Sequence, residues 1–289
     1  MHFLNEPMSI DPELKPGELA PTPGGVYKFD RHEFPWWLVV MVLIIAVMVV
    51  AVIFDPNFRE AFTRIFPVPF AATQGIMLTL YVTVGSFVVA TFLGLFIGLA
   101  RVSRRTVVRN AAAVYIEFIR GIPMLVFIFA IAFFIAPDFS EIVGQERGWI
   151  PQVIRAAAAL SFFYAAFIAE VFRAGIQSVD QTQSEAGRAL GLSERQIKRR
   201  VVLPQAVRNM LPALGNDLIS LMKDTSLVSV LAVRELTQLA KLYSGSTFRF
   251  RETYLILMVI YVVLTLGLSL LLRWYERKIA IPGRNPQSV

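Results

Sequence analysis

The chain has 289 residues, of which 56% are hydrophobic and only 17% are charged, and its formal net charge is +7. Soluble domains carry about 25% charged residues, and the apolar residues here stand in long runs, so the composition indicates an integral membrane protein. Cys is absent, and the two His residues are His2 and His32. These counts exclude a disulfide framework, a thiol nucleophile and a histidine-based metal site, so we expect no metal site.

The positive net charge has two interpretations. A basic surface can bind nucleic acid, whereas a membrane protein collects Lys and Arg in its cytoplasmic loops. The basic residues here lie between the apolar runs, which favours the membrane interpretation.

The N-terminal part combines a polar segment with two apolar runs. Residues 1–35 are polar and rich in Pro, so we expect a mobile tail. Trp36 to Phe54 carries no charge and is long enough to cross a hydrocarbon core about 30 Å thick. The run from Gln74 to Ala100 is also uncharged. It contains Gly94 and Gly98, a spacing that allows another helix to approach closely.

Orientation follows from the apolar runs and from the basic clusters between them. Three further runs are predicted to span the membrane: 111–137, 152–177 and 253–272. Clusters of Lys and Arg follow the runs that end at residues 100, 177 and 272. All three clusters can lie in the cytoplasm only if the segment 209–233 also crosses the membrane. This parity predicts six spans with both termini in the cytoplasm. The segments predicted to face outward are 55–73, 138–151 and 234–252.

Several ionisable residues fall inside the predicted spans, where they are costly and usually face a cavity or a partner. Arg120 follows Glu117 by three positions, which places the two charges on one helical face. Arg173 follows Glu170 at the same spacing. We predict structural ion pairs for both, with substrate contact as the other interpretation. The candidate residues of a substrate pathway are Glu117, Asn216, Asp217 and Thr225.

The segment 182–204, TQSEAGRALGLSERQIKRRVVLP, has a regular pattern of helix signals. Thr182 and Glu185 have the spacing of a capping box, which satisfies free N–H groups at a helix start. Gly191 fits the left-handed position that ends a helix. Ser193 and a Gln three residues later form a second capping-box spacing.

The pattern predicts two short helices joined at a glycine elbow. Pro204 is expected to break or kink the chain after the second helix. The elbow is strongly basic and, by the orientation above, cytoplasmic. A contact with a partner protein and a position on anionic lipid headgroups both fit this description.

The same segment resembles the EAA loop of binding-protein-dependent ABC importer permeases. That loop has a Glu-Ala-Ala sequence, a Gly shortly after it, and a hydrophobic-Leu-Pro ending. The matching residues here are Glu185, Ala186, Gly191, Leu203 and Pro204.

More narrowly, the chain is similar to the polar amino acid permeases of the histidine/glutamine/glutamate type. The similarity runs over about residues 73–278 and is carried by three motifs in order: YIEFIRGIPMLVFIF, FIAEVFRAGIQSV and LMKDTSLVSVLAVREL. The first begins at Tyr115 and the last ends at Leu236. Because the family core has five spans, Trp36 to Phe54 is an additional N-terminal helix.

Three positions depart from the family pattern. Gly187 replaces the third Ala of Glu-Ala-Ala, which costs a helix interior about 0.5–1 kcal/mol and is expected to loosen the first helix. Ile122 replaces a Thr in the first motif. Thr182-Gln183 stands where the family usually has Gly-Gln before the Glu-Ala step, so Thr182 is the third departure.

The resemblance implies an all-α type I ABC importer transmembrane domain with five core helices plus one extra. With the tail and the orientation predicted above, the organisation is a mobile cytoplasmic tail (1–35), an extra helix (36–54), the transmembrane domain (73–278) with its EAA loop (182–204), and a C-terminal tail (279–289). The residues that would contact the ATPase are Glu185, Ala186, Gly187, Arg188, Gly191, Leu203 and Pro204.

The resemblance also implies partners and a location. Two ABC ATPase subunits, a second permease subunit that is identical or related, and an extracytoplasmic amino acid-binding protein would join the chain in a bacterial inner membrane. No GxxxxGK[ST] loop is present, so ATP and Mg²⁺ would bind the partner ATPase, and this chain would hold no cofactor and would not be an enzyme. A stand-alone secondary transporter or channel is the main alternative; a membrane-embedded enzyme and a non-transporting receptor are weaker ones.

Overall fold

A computed structural model of the chain describes residues 36–65 and 74–279. The tail predicted for residues 1–35 lies outside the described residues, as does the predicted C-terminal tail from residue 280 onward. The described residues are helical, apart from connecting turns and one isolated backbone bridge. This confirms the all-α fold class.

The first two helices form a bent pair: α1 (Trp36–Phe54) and α2 (Pro56–Ile65) meet at an angle of 105°. Asp55 stands between them, and its carboxylate accepts a hydrogen bond from the backbone N–H of Asn57 at 2.8 Å. Arg59 donates back to carbonyl groups in the last turn of α1. The bend therefore satisfies backbone groups at the end of α1 and at the start of α2.

Ten further helices follow in chain order within residues 74–279. They are α3 (Gly75–Arg101), α4 (Thr106–Arg120), α5 (Met124–Ala130), α6 (Ala136–Ile142), α7 (Gln152–Gln177), α8 (Gln181–Ala189), α9 (Glu194–Ile197), α10 (Leu203–Asp224), α11 (Leu236–Thr247) and α12 (Phe250–Ile279). A π-helical turn joins α5 to α6 and another joins α9 to α10, and a 3₁₀ turn follows α10.

Four helical segments of the described chain are long and apolar enough to cross a membrane: Gly75–Arg101, Met124–Ile142, Gln152–Gln177 and Phe250–Glu276. The bent pair α1 and α2 raises this number to five when it is taken as one span. The segment 209–233, predicted to span, falls largely within α10 and does not reach the same apolarity, because it carries Asp217, Lys223 and Asp224. The count of six spans stays a prediction.

The third predicted run, 111–137, is not one helix, and this prediction is wrong. Helix α4 ends at Arg120, and α5 begins after Pro123. Proline disfavours a helical conformation in the residue before it, which separates the two helices. The apolar segment that is long enough to span extends instead from Met124 to Ile142.

The centre of the fold is the close packing of α3 along α7. A Cβ atom placed on Gly94 would lie 2.7 Å from Cγ2 of Ile168, and one on Gly98 would lie 2.8 Å from the carbonyl oxygen of Ala169. Both distances are too short for any side chain, so the two backbones touch. The close approach predicted from the Gly94 and Gly98 spacing is confirmed.

A buried arginine holds the start of α7 in place. Arg155 is 8% exposed, and it donates to the carbonyl oxygens of Ala132, Arg147 and Ile150 at 3.0, 2.6 and 2.8 Å. Ala132 lies in the π-helical turn between α5 and α6, where the backbone hydrogen bonds are shifted. Arg155 thus joins this turn, the loop before α7 and α7 itself through backbone oxygens.

Helix α2 packs against the last two helices. Ala61 and Ile65 are fully buried in a cluster with apolar residues of α11 and α12. Glu60 also accepts from the Arg249 guanidinium at 2.6 Å, just before α12 begins. The N-terminal extension is therefore a packed part of the fold from α2 onward.

Glu235 caps the start of α11. Its two carboxylate oxygens accept the backbone N–H groups of Thr237 and Gln238, each at 2.8 Å. Burial raises the pKa of Glu235 from its ordinary value near 4.5 to about 7, against the opposing effect of these hydrogen bonds.

Gly98→Val should destabilise the protein far more than the control Gly85→Val, because only Gly98 faces α7. Both glycines lie in α3. A Cβ atom on Gly85 meets nothing within 4 Å, whereas one on Gly98 meets the α7 backbone. Overpacking of this kind costs about 1–3 kcal/mol. Thermal unfolding of the two detergent-purified variants measures the difference, and equal melting temperatures would show that α3 and α7 do not touch at Gly98.

Glu235→Gln should change how stability depends on pH. A carboxyl group whose pKa rises on folding stabilises the fold most below its unfolded pKa, and this contribution is lost as the pH rises through the folded pKa. The wild-type chain should therefore lose stability relative to Glu235→Gln between about pH 4.5 and pH 7, by about 3 kcal/mol at most. Thermal unfolding on both sides of this window measures the effect, and a pH-independent difference between the two proteins contradicts it.

Candidate functional site

The cytoplasmic elbow predicted from the sequence corresponds to residues 181–202, which we call the elbow. Its first helix, α8 (Gln181–Ala189), begins two residues earlier than the capping box predicts. Asp180 is the N-cap, and its carboxylate accepts the backbone N–H of Thr182 at 2.9 Å. This hydrogen bond holds the pKa of Asp180 below its usual range. The predicted box of Thr182 and Glu185 is wrong, because Asp180 occupies the capping position.

The turn after α8 confirms the prediction for Gly191. Its φ is +75°, in the left-handed region that glycine adopts without strain. The N–H of Leu192 donates to the carbonyl of Gly187 at 3.1 Å, and the N–H of Gly191 donates to that of Arg188 at 2.9 Å. These two bonds form the Schellman motif that ends a helix.

The second half of the elbow begins with the predicted capping box, which is confirmed. Ser193 Oγ accepts from the N–H of Gln196 at 3.4 Å, and Gln196 Oε1 accepts from the N–H of Ser193 at 2.8 Å. The prediction of a second short helix is wrong, however. The backbone stays helical through the π-helical turn 198–202 and into α10. Pro204 stands at the second position of α10, where the preceding wide turn accommodates it.

The interior of the elbow depends on one glycine and one isoleucine. Ile197 is 1% exposed, and a Cβ atom on Gly187 would lie 3.0 Å from its Cγ1 atom. Gly187, expected only to loosen α8, therefore lets the helix after the turn pack closely against α8. No sequence motif marks Ile197; the signal for it is an apolar side chain inside a basic run.

The surface of the elbow combines an internal ion pair with an exposed apolar tip. Arg188, one of the residues expected to contact the ATPase, donates to Glu194 at 2.6 Å and so links the two halves. Glu185 and Ala186 are exposed on α8. Leu190, which the sequence analysis did not single out, is 81% exposed beside the turn. Apolar side chains on a helix can dock in a hydrophobic groove of another protein.

The ion pair predicted in α7 is confirmed. Arg173 Nη2 lies 2.7 Å from Glu170 Oε2, three residues earlier on the same helix. Arg101, at the end of α3, approaches the same carboxylate at 3.8 Å. Two guanidinium groups therefore share one carboxylate where α3 and α7 end together.

The pair predicted in α4 is not formed. Glu117 and Arg120 are both exposed, and the guanidinium of Arg120 lies 5.6 Å from the ring centroid of Phe167 on α7. A cation over an aromatic face is an attractive contact that competes with a nearby carboxylate. Glu117 remains an exposed carboxylate near the end of α4.

Two carboxylates lie on one face of α10, seven residues apart. Asp224 accepts from the hydroxyl of Tyr164 at 2.6 Å. Asp217 has one buried oxygen, Oδ2, that has no hydrogen-bond partner within the described residues. Asn216 points to an exposed side, and the fully buried Thr225 donates to the carbonyl of Met222 at 2.6 Å. Of the candidate pathway residues, Asp217 thus keeps unused hydrogen-bonding capacity.

Comparison with known proteins identifies the family. Residues 90–281 match the family described as the binding-protein-dependent transport system inner membrane component. This chain belongs to that family. The permease family match includes the elbow and begins after α1 and α2, so both helices precede it.

Named relatives of the permease include two bacterial proteins. It is 36% identical to the probable amino-acid permease protein YxeN of Bacillus subtilis over 211 residues, 73% of this chain and 92% of the relative. It is 36% identical to the glutamine transport system permease protein GlnP of Escherichia coli over 208 residues, 72% of this chain and 92% of the relative.

A solved structure shares the fold of the permease. The crystal structure of an amino acid ABC transporter with histidines has a chain that is 35% identical. The TM-score is 0.64, and the match covers 80% of this chain and 98% of that chain. The type I importer fold expected from the sequence is confirmed by this likeness.

Ile197→Ala should loosen the elbow without changing its surface. Truncating a buried Ile costs about 2–5 kcal/mol. Because local opening then becomes more frequent, trypsin should cleave the basic segment at least about tenfold faster when opening is a fast equilibrium. Leu190→Ala, at a side chain outside the elbow interior, is the matched control. Limited proteolysis of the purified permease measures both, and similar cleavage rates for the two variants contradict the packing described here.

Proposed function

We propose that this permease forms the translocation pathway for a polar amino acid in an ATP-driven importer of the bacterial inner membrane. The observation that carries the proposal is the rigid elbow with its exposed apolar tip, in a chain whose named relatives are amino acid permeases. A stand-alone secondary transporter or channel would have no use for such an elbow.

The elbow is the contact for a separate ABC ATPase. Glu185 and Ala186 are exposed on α8, and Leu190 projects beside the left-handed Gly191. An ATPase groove that accepts this tip would remove Leu190 from water, and apolar burial is the main source of such affinity. Two ATPase subunits, one for each of two identical or related permeases, bind ATP and Mg²⁺.

The remaining coupling residues lie inside the elbow and just after it. Gly187 allows the two halves of the elbow to pack, and the Arg188 ion pair joins them. Leu203 and Pro204 begin α10 directly after the π-helical turn. They hold the elbow at a fixed angle to the membrane, so that movement of the tip is carried into the helix.

Helix α10 carries this movement to the substrate pathway. The helical backbone is continuous from Glu194, at the elbow, to the region of Asp217. We assign Asp217 as the first candidate for substrate contact, because one of its oxygens is unpaired within the described residues. Asn216, Glu117 and Thr225 are lesser candidates. The hydroxyl of Thr225 already donates a hydrogen bond to the carbonyl of Met222.

The elbow and both termini face the cytoplasm in this proposal, as the basic clusters indicate. An extracytoplasmic binding protein delivers the amino acid at the opposite side. The chain holds the substrate path and supplies no catalytic or metal-binding group of its own.

Gly191→Val should abolish ATP-driven uptake while the permease still inserts and assembles. A β-branched residue is strained in the left-handed region, so the elbow loses its shape. Gly144→Val is the matched control, because Gly144 has the same φ of +75° and equally open surroundings. Both variants are compared, as assembled complexes in proteoliposomes, for amino acid uptake and substrate-stimulated ATP hydrolysis.

The expected result is loss of both activities in Gly191→Val and near-normal activities in Gly144→Val. Normal uptake by Gly191→Val would remove the basis of the coupling role. Uptake by the purified chain without any ATPase would instead support the stand-alone transporter.

A further inference from the structure

A cavity of about 410 Å³ opens where α3 and α7 begin, at the end of these helices away from the elbow. Leu78 and Val153 supply apolar lining, and three hydrogen-bonding side chains, Gln74, Gln152 and Arg234, surround it. Its volume lies within the range of about 300–1,000 Å³ that is typical of small-molecule sites. The cavity is separate from the carboxylates of α10 described above.

The polar side chains of the cavity are free to bind. Within the described residues, Gln74, Gln152 and Arg234 make no side-chain hydrogen bond or ion pair. The neighbouring Glu235 forms no ion pair with Arg234; its carboxylate instead caps α11 and accepts from Tyr261 at 3.2 Å. The cavity therefore presents one guanidinium and two amides, and no carboxylate among its lining residues.

The backbone around Arg234 is held firmly. Its carbonyl accepts the N–H of Gly75 at 2.9 Å, which ties it to the start of α3. The N–H of Leu236 donates to Thr79 Oγ1 at 3.2 Å. Ala232, which also lines the cavity, has a φ of +56°, a conformation that costs energy for a residue with a Cβ atom. A fixed backbone and a strained residue at one cavity are features of a binding site.

We propose that this cavity is an outer subsite for the α-carboxylate of an amino acid, with Arg234 as its bidentate ligand. The planar guanidinium matches a carboxylate with two parallel hydrogen bonds. Gln74 and Gln152 supply amide groups to the rest of the amino acid, and the apolar lining contacts its side chain. The inference rests on the proposed function, because it assumes that an amino acid arrives at this face.

The absence of Cys from the chain provides a direct test. Val153→Cys introduces a single thiol into the cavity wall, where Val153 is partly exposed. Right-side-out membrane vesicles that contain the complete importer are treated with a membrane-impermeant thiol reagent. The labelling rate is measured under three conditions: without added solute, with a mixture of L-glutamine, L-glutamate and L-histidine, and with the corresponding α-amides.

The amino acid mixture should slow the labelling, and the α-amides should not. Adding Arg234→Gln to the reporter should raise the protecting concentration by roughly tenfold or more, as expected for loss of a charge-assisted hydrogen bond. Arg234→Lys should retain part of the protection, because it keeps the charge and loses the bidentate geometry. Arg147→Gln, an exposed arginine in the loop before α7, is the matched control and should leave protection unchanged.

The outcomes separate the subsite from the proposed function. Two outcomes overturn the carboxylate subsite and leave the importer proposal intact. In the first, the thiol is labelled from the outside, but the acids and the amides protect it equally. In the second, Arg234→Gln leaves the protection complete. Labelling only after the vesicles are permeabilised contradicts the orientation on which both depend. Absence of labelling even then shows that the cavity is closed to solutes and overturns the subsite.

Discussion

Direct backbone contact between α3 and α7 is the constraint on which the rest of the membrane part depends. In lipid the hydrophobic effect does not drive helices together, so close packing and interhelical hydrogen bonds must do so. Gly94 and Gly98 provide the close packing. Ser86 and Ser161 add hydrogen bonds between the two helices, the first from Ser86 Oγ to the Ala157 carbonyl at 3.1 Å. The two helices thus form a rigid pair that reaches from the Arg234 cavity to the base of the elbow.

The base of the elbow is fixed to this pair, whereas its tip is not. Gly175 on α7 lets Met210 of α10 approach so closely that a Cβ atom would lie 2.2 Å from the Met210 Cγ atom. Asn209 then donates to the hydroxyl of Ser178 at 2.8 Å. The elbow is therefore anchored where it leaves the membrane helices and is free at Leu190. This arrangement suits a part that transmits force from a partner, because a loose base would absorb the movement.

Local signals in the sequence were sufficient where a residue acts on its own neighbours. Gly191 and the Ser193 capping box were predictable because left-handed turns and helix caps involve only a few adjacent residues. Asp180 was missed although it follows the same rule, since Thr182 offered a competing cap. The break at Pro123 was missed because an apolar run was given more weight than its proline. Ile197 and the contacts of Arg155 depend on distant parts of the chain, which no local pattern specifies.

The helical backbone from Glu194 to Asp224, which includes the π-helical turn 198–202, fixes the angular phase between the elbow and the face that carries Asp217. Each residue of an α-helix turns the next one by about 100°, so inserting or deleting a single residue would rotate that carboxylate by more than a quarter of a circle. The same change would leave composition and hydropathy almost untouched. If the elbow and Asp217 act together as proposed, this segment can vary in side chains far more readily than in length.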